Sequence, residues 1–92
     1  MSDSSVLRIA PGFRLQWEEA QDCHVLLFPE GMIQLSETAA VILQHCTGDC
    51  DEDGVVTKLK ADFPGEDIES DVLEFLQVAL EKGWLIRETS DT

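Results

Sequence analysis

Phe13, Leu15 and Trp17 alternate with Arg14, Gln16 and Glu18, the period-two signature of a strand with one solvated face. A turn over residues 19–22 leads into an almost unbroken apolar run of strand length, residues 23–28. Pro29-Glu30-Gly31 suits a tight hairpin and predicts a short third strand over residues 32–35. Two successive hairpins make a meander with the apolar run in the middle and residues 32–35 on an edge.

Helical spacing takes over after Leu35. Ser36 is a good N-cap, and Leu35 with Ala40 has the spacing of a hydrophobic staple. Ala39, Ile42, Leu43 and Cys46 give a buried stripe, and Gly48 is the expected stop. A second helix is expected from about Asp51, with acids at the positive end of its dipole and Val55, Val56, Leu59 and Phe63 as its apolar face. Pro64-Gly65 ends it. The third runs from about Asp67 to Lys82, with Ile68, Val72, Phe75, Leu76 and Ala79 at helical spacing and Gly83 as C-cap, and Trp84-Leu85-Ile86 continues as a short extended piece. The pattern predicts an α+β domain of two layers, a three-stranded antiparallel sheet followed by three helices. Residues 1–10 carry no periodicity and read as a flexible arm, residues 11–87 as the domain, and residues 88–92 as a flexible tail.

Size and charge narrow what such a domain does. Ninety-two residues bury only about 60% of their unfolded surface, which leaves little room for an enclosed catalytic cavity. No apolar run is long enough to span a bilayer and no export signal is visible, so the expected location is the cytoplasm and no membrane partner is expected. Nineteen acidic residues against six basic ones give a net charge of −13. Glu69, Asp71, Glu74 and Glu81 on the third helix, against only Lys82, would repel phosphates, so nucleic acid is not an expected partner. Three cysteines without an export signal read as reduced thiols.

The sharpest chemical motif is Asp49-Cys50-Asp51-Glu52-Asp53-Gly54, which opens like a calcium loop. Its twelfth position, however, is Lys60, where a bidentate glutamate should close the site. Cys23, His24, His45, Cys46 and Cys50 are ligand types for zinc, yet neighbours such as Cys23 and His24 point to opposite faces of a strand. A calcium- or zinc-stabilised structural domain is therefore the alternative reading, not the leading one. No catalytic residues, cofactor site or metal site are expected, and the chain does not read as an enzyme.

Two features point to a binding surface. Residues 32–35 form a short edge at which a peptide can add as a further strand. The third helix has a wider apolar arc than one core contact needs, with Leu73 and Leu80 on one flank of the buried stripe and Val78 on the other. That excess forms one wall of a groove, or packs the first strand or a dimer mate; monomer and homodimer are both compatible with it.

Four segments also resemble one family. They are Pro11-Gly12-Phe13-Arg14-Leu15-Gln16-Trp17, the run from His24 through Leu27-Phe28-Pro29-Glu30-Gly31 to Met32, Leu35-Ser36-Glu37-Thr38-Ala39-Ala40-Val41-Ile42-Leu43, and Asp71-Val72-Leu73-Glu74-Phe75-Leu76 followed by Gly83-Trp84-Leu85. The chain is similar over residues 11–86 to PqqD, the peptide chaperone family of pyrroloquinoline quinone (PQQ) biosynthesis. The resemblance implies a winged-helix-like recognition domain that binds a ribosomally made precursor peptide. It also implies a radical S-adenosylmethionine enzyme as second partner, which cross-links a Glu and a Tyr of that peptide. The implied peptide cleft is lined by Met32, Ile33, Gln34 and Leu35 on the strand, facing Asp71, Phe75, Val78, Ala79 and Lys82 on the helix. A proline at Ile33 is then expected to weaken peptide binding while sparing the fold. The chain departs from the commoner family pattern at Glu52-Asp53-Gly54, where Gly54 costs up to about 1 kcal/mol of helix stability.

Overall fold

The computed structural model describes residues 5–89. In chain order they form β1 (Ser5–Ile9), β2 (Arg14–Glu18), β3 (Cys23–Phe28), β4 (Gly31–Gln34), α1 (Glu37–Gln44), α2 (Glu52–Asp62), α3 (Glu69–Glu81) and β5 (Leu85–Thr89). The expected three-stranded antiparallel sheet is present, in the order β2-β3-β4, and is followed by the expected three helices.

Register makes that sheet two-sided. Leu15, Leu26 and Ile33 stand opposite one another across the three strands and so share one face. Leu26 is fully buried in the cluster that also holds Ile42, Leu43, Leu59 and Leu76 from the helices, so this face is the inner one. Phe13 stacks on Phe28 beyond one end of that row, with ring centroids 5.6 Å apart. Trp17, His24 and Leu35 form the next row at the other end. Arg14, Gln16, Leu27, Met32 and Gln34 occupy the opposite face.

α1 and α2 begin where side chains satisfy orphan N–H groups, whereas α3 starts after Ile68 without a side-chain cap. The Ser36 hydroxyl accepts from the Ala39 amide at 3.1 Å, and the Asp51 carboxylate accepts from the Gly54 amide at 2.8 Å. The latter is the structural use of Asp51 in the calcium-like stretch. Gly54 is also tightly placed, because a Cβ there would stand 2.5 Å from the Cys50 Cβ. The family departure at this position is thus matched to a close approach of the preceding turn. Gly83, at φ +82, closes α3 by donating to the Leu80 carbonyl.

Beyond shifts of one or two residues at element ends, the fold departs from the sequence expectation in two places. Residues 5–9, read as part of a loose arm, are strand β1, which pairs antiparallel with β5 in a second, two-stranded sheet. Leu7 at its centre is fully buried in the main core. Residues 88 and 89, read as tail, belong to β5, while residues 1–4 and 90–92 of the expected arm and tail lie outside the described residues. The surface pair Arg8–Glu88, at 3.3 Å, joins the two strands at little net energy. The second difference is that α1 ends at Gln44 instead of running to Gly48. The chain peels off to meet β1: Thr47 bridges Arg8, and the Gly48 amide donates to the Leu7 carbonyl at 2.9 Å.

Candidate functional site

Among the described residues β4 is paired on one side only. The Leu35 amide donates to the His24 carbonyl at 3.0 Å, which sets the phase of the β3–β4 ladder. Residues opposite one another in an antiparallel pair alternate between bonded and non-bonded positions. Ile33 therefore bonds inward to Leu26, whereas Met32 and Gln34 direct their backbone N–H and C=O groups away from β3. Over one short strand the edge offers two donors and two acceptors to an incoming chain. This corrects the expectation for Ile33→Pro: that substitution removes a ladder bond to β3 and damages the sheet, not the free edge.

The side chains named from sequence divide by face. Ile33 is half-buried against the core, and Leu35 is only 7% exposed. Met32, 46% exposed, and Gln34 stand on the opposite face, where the Gln34 amide donates to the Gln21 side chain. On α3, Asp71, Phe75, Val78 and Lys82 fall on one stripe at helical spacing. Phe75 is half-buried, Val78 is exposed, and Ala79 is fully buried in the core. Ala79 thus supports this flank from behind and does not face solvent. Asp71 borders a pocket of about 160 Å³ shared with Thr38 at the start of α1, Phe63 after α2, and Ile68 and Val72.

Sequence reasoning missed the aromatic platform beside this stripe. The Trp84 ring lies 6.4 Å from the Phe75 ring, and the Lys82 ammonium sits 5.9 Å above Trp84. Such a cation–π contact at an exposed site is worth about 0.5–1 kcal/mol. The Trp84 carbonyl accepts from the Ala10 amide at 2.9 Å, so strand β1's exit fixes the platform. The available signal was Gly83: a helix closed by a left-handed glycine folds the next residue back onto its own last turns.

The metal-type residues are spent separately. Glu52 pairs with Arg87 at 2.8 Å, Asp49 accepts from Thr47, and Lys60 pairs with Glu69. His45 contacts Asp62 at 2.9 Å. Cys46 is buried, and burial, with a smaller contribution from neighbouring Cys50, pushes its thiol up to about 12 from an ordinary 9.0. Among the described residues no three His, Cys, Asp or Glu side chains are grouped so as to hold an ion. No described helix is long and apolar enough to cross a membrane.

Residues 23–85 match the model of the family described as coenzyme PQQ synthesis protein D (PqqD). The chain belongs to the PqqD family. A relative from Azotobacter vinelandii, called a PqqA binding protein, is 49% identical over 83 residues, covering 89% of this chain and 90% of its own. One from Methylococcus capsulatus with the same name is 45% identical over 85 residues, covering 92% and 91%. In solved structures, the PqqD part of Methylobacterium extorquens PqqCD superposes with a TM-score of 0.72 at 30% identity, covering 95% of both chains. That part is described as a stand-alone recognition element for ribosomally synthesised, post-translationally modified peptides. The heterocyclase TruD matches with a TM-score of 0.71 over 96% of this chain but 12% of its own, at 23% identity. That likeness concerns the fold alone.

Proposed function

We propose that this chain is a non-catalytic peptide carrier of PQQ synthesis that binds the precursor peptide as an added strand on β4. It then presents the peptide to a radical S-adenosylmethionine enzyme for Glu–Tyr cross-linking. The observation that carries this reading is the free edge of β4, with the outward backbone groups of Met32 and Gln34, in a member of a family whose relatives are named for binding PqqA.

Energetics set what else the site must provide. Four backbone hydrogen bonds contribute at most about 2–6 kcal/mol net, while ordering a flexible peptide costs about 2–5 kcal/mol. Backbone pairing alone therefore comes close to zero. Apolar anchors must supply the affinity, and Phe75, Val78 and Trp84 on the α3 flank, with Met32 beside the edge, are the exposed or half-buried apolar groups suited to it. The peptide's alternate side chains would then be read by the two faces of the edge.

A calorimetric titration of the purified domain with a synthetic Glu/Tyr-containing precursor peptide, with EDTA present, tests the reading. Saturable one-to-one binding is expected. Absence of binding both alone and with the radical enzyme present contradicts the carrier role.

A further inference from the structure

A second concavity lies away from the outward backbone groups of β4. A wedge of about 470 Å³ opens between the Trp17–His24–Leu35 end of the inner sheet face and α1. That volume is within the range of pockets that hold ligands. It exists because α1 has two working faces. Ala39, Ala40, Ile42 and Leu43 turn into the core, while Glu37, Val41 and Gln44, at i, i+4 and i+7, with one side of Ala40, border the sheet row. The second face is short-chained at Ala40 and Val41, so helix and sheet do not close on each other there.

The chemistry of the wedge is uneven in an informative way. Its floor is apolar, from Leu35, Ala40 and Val41. One wall is Trp17, edge-on to His24 at 5.1 Å and still 49% exposed, so part of the indole face is open to an occupant. His24 is held in turn by Gln44, at 3.2 Å. At the mouth stand two exposed carboxylates, Asp22 and Glu37, and no lysine or arginine lines the wedge. Among the described residues neither carboxylate is in an ion pair.

We propose that this wedge is a second binding site, which takes an arginine side chain presented by a partner protein. The methylene stem would lie on Leu35, Ala40 and Val41, as long cationic side chains bury their stems while keeping the head hydrated. The planar guanidinium stacks on the Trp17 indole and forks toward Asp22 and Glu37, a geometry that lysine's point charge does not reproduce. Charge complementarity selects the occupant: the site offers two carboxylates and no cation within a chain of net charge −13, which attracts a cationic head and repels an anionic one. The site shares only Leu35 with the β4 edge, and it goes beyond the peptide-carrier reading without depending on it.

The test is an NMR titration of the isotope-labelled full chain with N-acetyl-arginine methylamide and, separately, with its neutral isostere N-acetyl-citrulline methylamide. The arginine probe is expected to shift the Trp17 indole N–H and the amides of His24, Ala40, Val41 and Gln44 saturably. The citrulline probe should bind at least about fivefold more weakly, and Glu37→Gln should weaken the arginine probe about threefold, as exposed carboxylate contacts imply. Equal response to both probes, shifts scattered over the acidic surface instead of the wedge, or no saturation up to the probe's solubility would each overturn the proposal.

Discussion

Gln34→Pro is the substitution that isolates strand addition at β4. The register directs the Gln34 N–H away from β3, so proline removes no bond of the existing sheet. An edge strand is also where proline is tolerated, and the preceding Ile33 is already in the extended conformation that proline favours. What is lost is one donor to the incoming peptide. A net backbone hydrogen bond is worth about 0.5–1.5 kcal/mol, which raises the dissociation constant about 2- to 13-fold. The pyrrolidine ring, standing where the peptide carbonyl would dock, pushes the effect toward the upper end. Gln34→Ala is the matched control: it also loses the contact with Gln21 but keeps the N–H. Calorimetry against the precursor peptide should give near-normal affinity for Gln34→Ala and a clear loss for Gln34→Pro, with similar melting temperatures. Ile33→Pro should instead lower the melting temperature, because its N–H faces β3. If Gln34→Pro is folded and binds as tightly as Gln34→Ala, the peptide does not pair with this edge.

Other consequences are separable from binding. Leu7→Ala should cost about 2–5 kcal/mol in urea unfolding, because its side chain is fully buried in the main core; a loss under 1 kcal/mol, on the scale of a surface change, would return β1 to the status of an appendage. The raised Cys46 thiol makes the folded state hold a proton that the unfolded state releases above pH 9. Stability from this group is therefore complete below pH 9 and declines by about 1 kcal/mol per pH unit between 9 and 12. The stability difference between wild type and Cys46→Ala should shrink over that window, and parallel pH curves would contradict it. Ser36→Ala should lower stability by about 1 kcal/mol through loss of the α1 cap, read by thermal melting. EDTA should leave the melting temperature unchanged, whereas a drop would bring the Asp49–Gly54 stretch back as an ion site.

Much of the architecture was legible because it is locally encoded. The alternation from Phe13 to Glu18, the Pro29-Glu30-Gly31 hairpin, the cap at Ser36 and the helix start near Asp51 each depend on near neighbours in sequence, and each matches an observed element. β1 was not legible for the opposite reason. Ser5–Ile9 is a strand only because β5 lies alongside it some eighty residues later, and nothing in its own five residues announces that pairing. The early end of α1 has the same cause, since Gly48 is drawn away to Leu7. For the site, sequence located the edge strand but not its phase. Which of Met32, Ile33, Gln34 and Leu35 turn their backbone outward depends on one hydrogen bond, from Leu35 to His24. The Phe75–Trp84 platform and the wedge beneath Trp17 were hidden because they join rings or faces from separate elements.

Amide hydrogen exchange with and without the precursor peptide tests strand addition most directly. Ile33 and Leu35 donate inward and should be protected in both states. Met32 and Gln34 should exchange freely in the isolated domain and become protected when the peptide is bound. Leu15 and Trp17, whose amides point outward at the other edge of the sheet, should not change. Protection appearing at Leu15 and Trp17 instead, or at neither edge while the peptide is demonstrably bound, would contradict the account.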